Sequence, residues 1–96
     1  MKKTVKASIT WVTVEQGGRE TMMPVGIKYY PIIVFNAEQN SDISWSAEMY
    51  NTQLEGRTSI ADVSYLVDDA PFHLLQSGNA FSLYEGQRMV AEGVVQ

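Results

Sequence analysis

Two arginines beside glycine turns are the residues best suited to bind an anion. Arg19 follows Gly17-Gly18, and Arg88 follows Glu85-Gly86-Gln87. A guanidinium offers a planar fork of donors that matches phosphate oxygens. The same fork also pins loop carbonyls or pairs with a carboxylate. Glu85 and Glu92 lie close to Arg88 in sequence, so a structural role outweighs anion binding. Gly17-Gly18 and Gly86 could cradle phosphate with backbone amides. A phosphate loop, however, normally opens a helix whose N-terminus adds a favourable field. Both loops here join strands, so the glycines read as suppliers of turn dihedrals.

The other reactive residues are sparse. His73 is the one histidine, and it lies between Phe72 and Leu74. A general base needs a nucleophile or substrate group within reach and an orienting partner. Asp68 and Asp69 are near, but no nucleophile motif accompanies them, so His73 reads as a rim or core residue. Asp68, Asp69 and Asp62 lack the alternating ligand spacing of a calcium loop. The chain has no Cys, which excludes disulfides, zinc-thiolate sites and thiol catalysis together. The expectation is no catalytic residue, no metal and no cofactor.

These residues must be positioned by a small frame. The 96 residues carry 45% hydrophobic and 19% charged side chains, the composition of one folded domain spanning residues 1–96. Seven Lys and Arg against eleven Asp and Glu leave a net charge of −4. That balance disfavours nucleic acid and anionic lipid, which need a basic face. Met1-Lys2-Lys3 resembles the start of a signal peptide, but no apolar stretch follows it. No run approaches the roughly 20 apolar residues of a membrane span, and a cytoplasmic protein without membrane contact is expected.

The hydrophobic period is two. Val5, Ala7, Ile9 and Trp11 alternate with polar residues. So do Ile43, Trp45, Ala47 and Met49, then Ala61, Val63, Tyr65 and Val67, and finally Phe81 and Leu83. This is the pattern of half-buried strands. Residues 29–35 are apolar on both parities, which predicts a strand buried on both sides, with Pro31 at an edge, a bulge or the strand's start. Gly93, inside a strand, predicts a bulge or a close backbone approach. Turns are expected at residues 16–19, 36–42, 54–57, 68–71, 76–79 and 84–87. Six or seven short strands separated by such turns predict an all-β barrel or sandwich, with a small antiparallel barrel favoured because closure removes exposed edges.

Two motifs carry a family resemblance. The C-terminal run from Phe81 through Leu83, Glu85-Gly86, Arg88, Val90, Gly93 and Val94-Val95 resembles the closing hairpin of the third domain of translation elongation factor Tu. Gly17-Gly18-Arg19-Glu20-Thr21 is similar to that domain's Gly-Gly-Arg-x-Thr loop and precedes a comparable segment, Tyr29-Tyr30-Pro31-Ile32. The resemblance covers roughly residues 6–95 and implies a six-stranded antiparallel β-barrel. It departs from the family at Glu20, Tyr30 and Gln87, and the chain holds no GTP-binding motif.

The resemblance implies a domain that packs against neighbours, and the expected function is a non-enzymatic binding module acting through protein–protein contacts. Its partner would be another protein or a second copy. Met22, Met23, Tyr29 and Tyr30 fall outside the strict alternation and are the interface candidates, since Met and Tyr are enriched at interfaces. The alternative is an RNA-binding module on the tRNA-facing side. The resemblance would assign it Arg19, Thr21 and Gly86, with Arg88 beside them.

Overall fold

The computed structural model describes residues 3–18, 23–38 and 44–96. Six strands form: β1 (Val5–Trp11), β2 (Ile32–Phe35), β3 (Trp45–Glu55), β4 (Thr58–Tyr65), β5 (Ala80–Glu85) and β6 (Arg88–Val95). They close into an antiparallel barrel in the order β1-β4-β3-β2-β5-β6. Single 3-10 turns at Val14–Gln16, Asn36–Glu38 and Phe72–Leu74 are the helical pieces among the described residues. The all-β barrel expected from period-two alternation is therefore the fold.

Alternation decides which side chains enter. Ala7, Ile9 and Trp11 of β1 are buried while Lys6, Ser8 and Thr10 face out. One end of the interior is aromatic. Phe35 and Phe81 lie 5.2 Å apart between ring centroids, and Phe72 packs its edge on Tyr65 at 5.4 Å. The loop after β4 closes this end with Leu74 and Leu75. The opposite end holds Trp11 and Tyr29, 6.0 Å apart. Each large apolar side chain so buried contributes about 1.5–3 kcal/mol.

Three expectations change. The segment predicted to be buried on both sides becomes the four-residue β2, with Ile33 and Phe35 buried and Ile32 and Val34 only half-buried. The barrel wall is a single layer, and none of the described residues covers the outer side of Ile32 and Val34 completely. Pro31 precedes β2, and its carbonyl accepts from the Ala47 N–H at 2.7 Å. Secondly, β4 stops at Tyr65, leaving Leu66 and Val67 exposed. Thirdly, Gly18 is not a dihedral supplier. A Cβ there would stand 2.1 Å from the Val12 carbonyl oxygen, so close backbone approach demands the glycine. Gly17, at φ +93°, is the turn residue. Ile43 lies outside the described residues.

Candidate interaction surfaces

Residues 23–31 form a strap along β3. The Tyr29 N–H donates to the Met49 carbonyl at 2.8 Å, and Met49 N–H returns the bond at 3.0 Å. Gly26 N–H reaches the Asn51 carbonyl at 2.9 Å, and the Asn51 side-chain amide donates to the Met23 carbonyl at 2.8 Å. Residues 24–27 make a turn with Gly26 at φ +84° in its third position, the place where a type II turn requires positive φ. This turn lifts Val25 and Ile27 off the barrel. Each is 52% exposed, and Tyr30 is 53% exposed.

The four interface candidates separate here. Tyr30 is exposed. Met23 is half-buried and packs against the core. Tyr29 is buried, with its ring against Trp11 and its hydroxyl donating to Glu85, so it cannot offer its ring to a partner. The reason is parity: positions 29, 31, 33 and 35 all point inward, so the alternation of β2 extends back as far as Tyr29. Met22 lies outside the described residues. Val25 and Ile27 were missed by periodicity, and the Pro-x-Gly turn signature around Val25 was the available signal.

The RNA-contact candidates separate as well. Gly86 sits at the tip of the β5–β6 hairpin with φ +63°. Arg88 donates through Nη2 to Glu85 Oε1 at 2.9 Å, so a carboxylate already holds its charge. Arg19 and Thr21 lie outside the described residues. Other cations are engaged too. Arg57 donates to the Val12 carbonyl at 3.1 Å, Lys28 sits 3.5 Å from Glu48, and Lys6 pairs with Asp62. Among the described residues no cluster of free cations forms.

On the outer face of β1, β4 and β3, Lys6, Asp62 and Tyr50 make a cross-strand row. The Lys6 ammonium, and after it the Tyr50 hydroxyl, donate to Asp62 and hold its carboxyl below the usual range. Acceptance by Asp62, followed by its negative charge, raises the Tyr50 phenol. His73 lies exposed on the 3-10 turn that closes the aromatic end, a rim position. Asp68 and Asp69 are exposed before it. No three metal-ligating side chains come together among the described residues.

No family model matches this sequence, and no curated protein matches it.

Proposed function

We propose that the chain is a non-enzymatic binding module of the elongation factor Tu third-domain kind, acting through contacts with another protein. One observation carries the reading: Val25, Ile27 and Tyr30 are each about half exposed on one short strap whose backbone is bonded to β3. A fixed backbone lowers the ordering cost of binding, and protruding apolar side chains supply the contact area. Three side chains cannot fill the roughly 800 Å² that each partner of a stable interface buries. They are its anchors. Engagement of Arg88 by Glu85 favours a protein over RNA as the partner.

Sedimentation equilibrium at micromolar concentration, with recovery of bound protein from lysate, tests the reading on the parent and on Val25→Glu/Tyr30→Glu. Association or capture by the parent, lost in the variant at an unchanged thermal midpoint, supports it. A monomeric parent that captures nothing overturns it. Salt-sensitive retention of tRNA on filters would favour the RNA reading instead.

A further inference from the structure

The strand registers align an unbroken transverse row on the outside of the barrel. Glu55 lies opposite Thr58, Thr58 opposite Thr10, Thr10 opposite Glu92, and Glu92 opposite Ser82. Directly paired residues point to the same face, so this row presents two carboxylates separated by two threonine side chains. Neither Glu55 nor Glu92 has a cationic partner among the described residues, whereas the row four residues along β1 is neutralised by Lys6 and Asp62. Between these rows runs a third, in which Ser8 lies between Ile60 and Val94. Val94 is 45% exposed.

The surface is concave on both sides of β1. A depression of about 430 Å³ lies over β3 and β4 and includes Glu55 and Ile60 in its lining. A second, of about 290 Å³, lies over β5 and β6 and includes Glu92 and Val94. Ser8 and Thr10 line both and form the low saddle between them. The Gln96 side-chain amide donates to the Ser8 hydroxyl at 3.0 Å, so a segment crossing the strands lies along Thr58 and Thr10 rather than over Ser8.

We propose that this face docks an extended, basic segment of a partner protein, lying across β3, β4, β1 and β6 with cationic side chains on Glu55 and Glu92. Spacing sets the pattern. The two carboxylates stand three strand intervals apart, roughly 14 Å at about 4.8 Å each. An extended chain advances about 3.3 Å per residue, so residues four apart span nearly the same distance. Barrel curvature widens the gap at the side-chain tips, and a lysine's flexible four-carbon stem absorbs the difference. Ile60 and Val94, flanking Ser8 in the neighbouring row, offer apolar contact beside the cations. The site is distinct from the strap and does not depend on it.

The probe is a synthetic ten-residue peptide of β-branched residues, capped at both ends, with lysines four apart. Amide shifts in the full-length protein are followed by NMR during its titration. Shifts centred on Ser8, Thr10, Thr58 and Glu92 are expected, weakening as salt rises. Glu55→Gln/Glu92→Gln should lower affinity about fivefold or more, the sum of two exposed ion pairs. A peptide with its lysines adjacent should bind more weakly than the spaced one. Val25→Glu/Tyr30→Glu should leave binding unchanged, which separates this face from the strap. Absent shifts, shifts centred elsewhere, or affinity unaffected by the double glutamine variant would each overturn the proposal.

Discussion

The Trp11 indole Nε1 donates to the Ser59 hydroxyl at 3.0 Å inside the barrel wall. Ser59 in turn donates to Asn51 Oδ1 at 2.9 Å, and Asn51 holds the strap through the Met23 carbonyl. β1, β4, β3 and the strap are thus joined by one buried chain of hydrogen bonds, and none of its polar side-chain atoms is left over. Replacing Ser59 by alanine would strand the indole donor and the Asn51 oxygen together. A buried polar atom without a partner costs about 1–3 kcal/mol. Urea denaturation followed by tryptophan fluorescence should show Ser59→Ala with a lower midpoint and an unfolding free energy reduced by that amount. An unchanged midpoint would mean that water reaches this end of the barrel.

Gly93 marks close packing rather than a bulge. A Cβ there would meet Phe81 Cζ at 2.4 Å and Ile9 Cδ1 at 2.8 Å, both of them buried side chains. Gly93→Ala should destabilise the barrel by about 1–3 kcal/mol through overpacking. Adding Phe81→Leu should return part of that loss, because the two sites share one space and will not act additively. Thermal melts of the two single variants and the double variant give the coupling directly. Strict additivity would place the clash elsewhere.

The frame was more legible than the surface. Alternation in residues 5–11 and 58–65 is local, and the strands follow from it. The inward turn of Tyr29 was also present in sequence, since it shares parity with Ile33 and Phe35. Apolar residues on both parities of 29–35 hid that face, because no polar position marked the outer side. The β3 bulge between Asn51 and Gln53 left no period-two signal, because an extra residue shifts parity without changing composition. The alignment of Glu55 with Glu92 was beyond reach for another reason. It depends on β1 pairing with both β4 and β6, and closure of the barrel is a long-range outcome that no window of residues contains.

At the β5–β6 hairpin the constraint is backbone conformation alone. Gly86 has φ +63°, and nothing lies within 4 Å of the position a Cβ would take. Gly86→Val should therefore cost about 1 kcal/mol or more, from the left-handed conformation rather than from a clash. Gly86→Asn should cost less, since asparagine tolerates that region. Equal midpoints for parent, valine and asparagine forms would reject the turn assignment.

The Lys6–Asp62–Tyr50 row gives a pH dependence whose sign is fixed at both ends. Asp62 titrates below its ordinary value of 3.8 in the folded chain, chiefly because Lys6 donates to it. Its contribution is present above the unfolded value and disappears as pH falls through the folded one. Asp62→Asn should thus be less stable than the parent at neutral pH, with the difference in thermal midpoint closing as the solution is acidified below about pH 4. Tyr50 behaves oppositely. Its phenol is raised above 10.0, first by its hydrogen bond to Asp62 and then by the Asp62 charge. That contribution is complete below the unfolded value and is lost as pH rises through the folded one. Ultraviolet titration of the parent minus Tyr50→Phe should isolate a tyrosine with its midpoint above 10.0. In the Asp62→Asn background the same difference should move back toward the ordinary value. A Tyr50 midpoint that ignores Asp62 would show that the two side chains do not share a proton-bearing contact in solution.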